Sequence, residues 1–208
     1  AIVRAGKARY LGFSNWPAWK VAAAVGLQRA DGWAQFSHGQ LMYSLIGRDI
    51  EVEFLPLAKH YGIGITAWSP LAGGFLSGKY SRENPGDAED RLASYEGLPI
   101  DREKGFAVIE RMREIAAGHG ASVAQVALAW LLSREAVSSV ILGASKLSQL
   151  DDNLAAVNLA LIPQEIKELD RMTRHPRAYP GLMIDWIDQP IADALAARPG
   201  NPYTPEKA

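Results

Sequence analysis

The sequence predicts an α/β fold built on a parallel sheet. Short apolar runs alternate with longer runs at helical spacing, giving four βα units with extra helices before the fourth strand. Such alternation implies crossover connections, and crossovers join parallel strands. With 208 residues, 48% of them apolar, the chain can bury about 70% of its unfolded surface and needs neither disulfides nor a structural metal.

The first strand is ARYLGFSN (8–15), an apolar run closing in polar residues. Pro17 follows where a first helical turn tolerates proline, and WKVAAAVGLQ continues at helical spacing. WAQFS (33–37) reads as a second strand. From Arg48 to His60, apolar Ile50, Phe54, Leu57 and Ala58 recur at helical spacing, with Pro56 awkward inside the run and Gly62 as the stop. Ile63 to Trp68 is the third strand. A polar, Gly- and Pro-rich stretch from Gly73 to Arg102 reads as a long functional or mobile loop. Two helices follow, 106–120 stopped by glycine and 122–135 with Ser122 suited to its N-cap. SSVILGAS (138–145) is apolar enough to be a strand buried on both faces. A helix capped by Ser148 and another opened by Pro163 complete the pattern; the tail from His175 is Pro-rich, with an amphipathic segment at 190–198. There is no fixed-period repeat, low-complexity segment or dividing linker.

Composition narrows the function. A formal net charge of −1 argues against nucleic-acid and membrane-surface partners. The absence of cysteine removes thiolate metal sites, iron–sulfur clusters and cysteine nucleophiles. No apolar run is long enough to span a bilayer, and the N-terminus lacks a signal peptide's apolar region, so a cytoplasmic location is expected. The opening residues AIVRAGKARY read like the middle of a protein. His38, His60, His119 and His175 have no metal-ligand spacing.

Three strand-to-helix junctions concentrate polar residues: GFSN (12–15), WSPLAGG (68–74) and GASKLSQLDDN (143–153). Ligand sites in parallel α/β folds gather at the C-terminal strand ends, so all three should face one way. In the third, Gly143, Ser145 and Lys146 stand before a helix start. That suits an anion, and equally a glycine turn with a cap serine and a solvated lysine. In the second, loop amides after Trp68 suit a pyrophosphate, and equally an ordinary Pro–Gly turn. The G-x-G at Gly62 and Gly64 precedes its strand and is discounted.

Taken together, GKARYLGFSN, Gln40 before Tyr43, ITAWSPLAGGFLSGKY and VSSVILGASKLSQLDDNL resemble the C-terminal half of an aldo-keto reductase, of the bacterial and potassium-channel β-subunit branch. The resemblance runs from about Val3 to Arg171. It implies the C-terminal half of a TIM-type (β/α)8 barrel over residues 1–174 and a tail, 175–208, that could cover a substrate with Tyr179, Leu182, Met183 and Trp186. It implies NADP(H) bound without a Rossmann domain. By position, Ser14, Asn15 and Gln40 resemble the residues on the nicotinamide carboxamide, and Trp68 the aromatic stacked on its ring. Ser69, Pro70, Leu71 and Gly73 resemble the pyrophosphate loop, with Lys79 and Arg91 as further phosphate contacts. Gly143, Ser145, Lys146 and Gln149 resemble the 2′-phosphate cradle, and Asp152 and Asn153 the adenine pair.

The family's proton donor, a tyrosine tuned by lysine and aspartate beside a histidine, comes from the first four βα units. Tyr10, Tyr43 and Tyr80 stand outside that context and Tyr179 is a weak substitute, so no catalytic residue is assigned. The resemblance therefore implies a carbonyl reductase, acting on a small-molecule aldehyde or ketone, whose proton-donor half lies elsewhere. The alternative is a non-catalytic NADP(H)-binding half-barrel serving as sensor or regulatory module. A half-barrel has two open edges, which a missing N-terminal half or a second copy would close.

Overall fold

A computed structural model of the chain describes residues 2–86 and 101–176, with 179–181, 183, 187 and 191 beyond them. Two compact units divide it, Ala1–Arg174 and His175–Ala208. In the second unit Tyr179 and Met183 are exposed; Leu182, Trp186 and most of 190–198 lie outside the described residues.

The first unit is a four-stranded sheet in the order β1 (Leu11–Ser14), β2 (Phe36–Met42), β3 (Gly64–Trp68), β4 (Val137–Val140), every pair parallel. Among the described residues six α-helices accompany it: α1 (Ala18–Ala30), α2 (Ile50–Tyr61), α3 (Arg102–His119), α4 (Val123–Leu132), α5 (Leu147–Leu154) and α6 (Pro163–Thr173). The parallel α/β sheet expected from alternation is present.

One face of the sheet is packed. Phe13, Gly39, Leu41, Ile65 and Ala67 are buried on it. Helices supply the other side of this core, with Val21 and Val25 from α1, Phe106, Ile109 and Met112 from α3, Trp130 and Leu131 from α4, and Leu169 from α6. The opposite face carries Gly12, Ser14, His38, Gln40, Thr66 and Trp68, none of them buried.

Helix ends follow local chemistry. Gly62 and Gly120 close α2 and α3 with φ of 68° and 62°, a region that costs glycine nothing. The Ser122 hydroxyl accepts from the Gln125 N–H at 3.1 Å and caps α4. Asp101 caps α3 by accepting from the Lys104 N–H at 3.1 Å, which starts that helix four residues before the expected boundary.

Several expectations are corrected. The second strand is Phe36–Met42, not 33–37: it alternates buried and exposed residues, and its polar face hid it from a search for apolar runs. The fourth strand ends at Val140, and Ser138 and Ser139 are exposed, so it is not buried on both faces. Pro56 lies inside α2 without ending it; Pro56 and Val52, whose carbonyl loses its donor, are both exposed, where water can replace the bond. Nearly half of the long polar stretch, 87–100, lies outside the described residues; its beginning is a 3-10 segment, Ala72–Ser77.

Among the described residues no single helix is long and apolar enough to cross a membrane; α3 and α4 reach the length only as a pair bent by 92°.

Candidate functional site

Because the strands are parallel, their C-terminal ends share one edge of the sheet, and all three polar junctions leave from it. Ser14 pairs with Gln40 in register, Gln40 with Thr66, and Met42 with Trp68. Ser14, Gln40 and Trp68 therefore stand on the unpacked face within one step of each other.

Asn15 follows Ser14 with a φ of 54°, a left-handed conformation that Asn tolerates better than most residues. The turn sends its side chain over the end of β2, where the Trp68 indole N–H donates to Asn15 Oδ1 at 3.3 Å. Residues 53 positions apart are thus joined at the strand ends. Trp68 keeps partial exposure.

The loop after Trp68 is tightly coiled. Ser69, Ala72, Gly73 and Gly74 have positive φ (53°, 49°, 68° and 95°), and Pro70 is buried. The Gly73 N–H donates to Ser69 Oγ at 3.1 Å, and the Ala72 and Gly74 N–H groups donate to the Ser69 and Leu71 carbonyls. These three amides are used within the turn. Lys79 is exposed; a Cβ on Gly74 would meet its Cε at 4.0 Å, so its stem passes beside the loop. Arg91 lies outside the described residues.

The third junction leaves β4 beside β3, with Ala67 opposite Val140. Gly143, Ser145, Lys146 and Gln149 are all exposed. The helix begins at Leu147, so Ser148 sits inside its first turn and is not the cap. Gln149 does that work. Its Oε1 accepts from the Ser145 N–H (3.1 Å), the Ser145 hydroxyl (3.1 Å) and the Lys146 N–H (3.2 Å). Three donors converge on one oxygen at a helix N-terminus, beside an exposed lysine, a donor set suited to a phosphate.

Asn153 is buried in α5. The Asp152 carboxylate is held by α4: Ser122 Oγ donates to Oδ2 at 2.8 Å, and Gln125 Nε2 donates to Oδ1 at 2.8 Å and to the Asp152 carbonyl at 3.0 Å. Ser122 was legible as a cap; its second partner, 30 residues on, was not. That His38 and Thr66 share the open face with Gln40 was not legible either, because only an assigned strand register reveals it. The described residues contain no cluster able to hold a metal ion.

The Aldo/keto reductase family model matches residues 1–174. The chain belongs to the aldo/keto reductase family. Members of this oxidoreductase family generally use nicotinamide coenzymes. Versiconal hemiacetal acetate reductase of Aspergillus parasiticus is 32% identical over 181 residues, 86% of this chain and 52% of that protein. A rice protein (Oryza sativa subsp. japonica) named "Probable voltage-gated potassium channel subunit beta" is 34% identical over 179 residues, 83% of this chain and 55% of that one. The aldo-keto reductase ausK of Aspergillus calidoustus is 33% identical over 201 residues, 95% of this chain and 50% of its own length. This aldo/keto reductase chain thus spans about half the length of the curated relatives it matches.

Proposed function

We propose that this chain is the coenzyme-gripping half of an NADP(H)-dependent aldo/keto reductase that reduces aldehydes or ketones to alcohols. The observation that carries the reading is the Asn15–Trp68 contact standing over Ser14 and Gln40, at the sheet edge from which the Ser145–Gln149 turn also leaves. NADPH, when bound, supplies the hydride.

Ser14, Asn15 and Gln40 orient the carboxamide, and Trp68 covers one face of the nicotinamide, leaving the other to the carbonyl. Ser69, Pro70, Leu71 and Gly73, with Lys79 and Arg91, take the pyrophosphate. Gly143, Ser145, Lys146 and Gln149 take the 2′-phosphate: its oxygen replaces Gln149 Oε1 among the three donors, and Lys146 adds the charge that favours NADP over NAD. Asp152 and Asn153 read the adenine. The proton for the carbonyl oxygen comes from residues outside this chain's site, within hydrogen-bond reach of that oxygen. Among the described residues β1 and β4 each have one neighbour, so a complementary half with parallel strands completes the ring.

Titration of the chain with NADPH tests the reading through quenching of tryptophan fluorescence. Wild type should bind NADPH more tightly than NADH, and Lys146→Ala with Ser145→Ala should erase most of that preference, about tenfold or more. Calorimetry showing no heat of NADPH binding would remove the reading. The rice relative favours a second: a half-barrel that binds NADP(H) and turns nothing over, as a sensor or regulatory module. Aldehyde-dependent NADPH oxidation with the N-terminal half supplied separates the two.

A further inference from the structure

We propose that Ser122 and Gln125, at the start of α4, are positioning residues for the adenine end of the coenzyme; the proposal rests on the NADP(H) reading above. Neither residue stands in a strand-end junction. Both reach α5, and they meet it at Asp152. Ser122 Oγ takes one carboxylate oxygen and Gln125 Nε2 the other, each at 2.8 Å, and Gln125 adds a 3.0 Å bond to the Asp152 main chain. Gln125 is itself held, since its Oε1 accepts from the Ser122 N–H at 3.5 Å.

The arrangement fixes a helix with little else to fix it. Of α5 only Asn153 is buried, and Leu147 to Leu150 are exposed. Its rotation about its own axis decides where Asp152, Asn153 and the Ser145–Gln149 turn point. A clamp on both oxygens and the backbone of one residue sets that rotation. The clamp also leaves Asp152 usable. A carboxylate has about four lone-pair sites, and two are occupied, so acceptor capacity remains for the amino group of a purine.

The test is titration of the full chain with NADPH and with 2′,5′-ADP, which carries the adenine and the 2′-phosphate without nicotinamide. Gln125→Met should weaken both about tenfold, while the tryptophan quench at saturating NADPH stays at the wild-type value. Gln125→Glu sets two carboxylates against each other. Its affinity, relative to wild type at each pH, should be low at neutral pH and recover as acidification lets one proton bridge them. Loss of helix packing alone would not produce that pH dependence, and the Glu variant carries the test should the Met variant fail to fold. Unchanged binding by Gln125→Met, or a Gln125→Glu defect independent of pH, overturns the proposal while the NADP(H) reading stands. Wild type binding neither ligand overturns that reading, and the positioning role with it.

Discussion

Arg48 is 6% exposed, and each of its guanidinium nitrogens has a partner. Nε and Nη2 fork onto Glu51 at 2.8 and 2.9 Å, and Nη1 reaches Thr173 Oγ1 at 2.7 Å and Asp170 Oδ1 at 3.1 Å. The guanidinium also lies 5.0 Å from the centre of the Trp130 ring. The cluster ties the β2–α2 loop to α4 and α6. Removing the cation strands Glu51, so Arg48→Met should cost about 3 kcal/mol by urea unfolding. Adding Glu51→Leu should return part of it; a double variant no more stable than the single would show that the stranded carboxylate is not the cause. The Tyr43 hydroxyl donates to Glu51 Oε1 at 2.7 Å. Burial, then that bond and the Glu51 charge, push the Tyr43 pKa above its ordinary 10.0. The unfolded chain then loses the proton first, so stability is whole below the ordinary tyrosine value and falls as pH rises past it. Tyr43→Phe should flatten that alkaline decline in urea midpoint against pH. The sequence offered Arg48 only as a helix-start residue, because its partners Asp170 and Thr173 lie more than a hundred positions away.

The strands are thinned by glycine on both faces, with different consequences. A Cβ on Gly39 would stand 2.5 Å from Phe13 Cζ in the packed layer, where the ring is held by Phe36 and Phe54. A Cβ on Gly12 would stand 2.4 Å from His38 Nε2 on the open face, where the imidazole can swing away. Gly39→Ala should therefore cost about 1–3 kcal/mol and Gly12→Ala clearly less, read as melting temperatures. Equal losses would mean that the two faces are equally confined. The same asymmetry governs what was legible. Helices announced themselves through periodicity and through Gly62, Gly120, Ser122 and Pro163, since one buried stripe and a cap are local features. The polar strand face was not legible: His38 and Gln40 alternate with Gly39 and Leu41, so β2 reads as a polar segment until its partners are known. The junction residues were legible as a group at the strand ends. The Asn15–Trp68 bond, the Gln149 cap and the grip of α4 on Asp152 were not, because each depends on how separate loops meet.

Among the described residues, part of the exposed apolar surface lies along helices that follow the two edge strands. After β1, α1 buries Val21 and Val25 yet leaves Trp19 and Leu27 68% and 60% exposed. After β4, Leu147, Leu154 and Val157 recur at helical spacing and are 73%, 50% and 70% exposed. Large apolar groups left in water beside unpaired strand edges favour association. The chain by itself should therefore sediment as a concentration-dependent mixture, and Leu147→Glu with Leu154→Glu should shift it toward a single species. A complementary half-barrel, supplied in trans, should protect the β1 and β4 amides from hydrogen exchange while leaving those of β2 and β3 as they were, since among the described residues only the edge strands lack a neighbour. Protection spread evenly over all four strands would point to general tightening of the fold and count against closure at the edges.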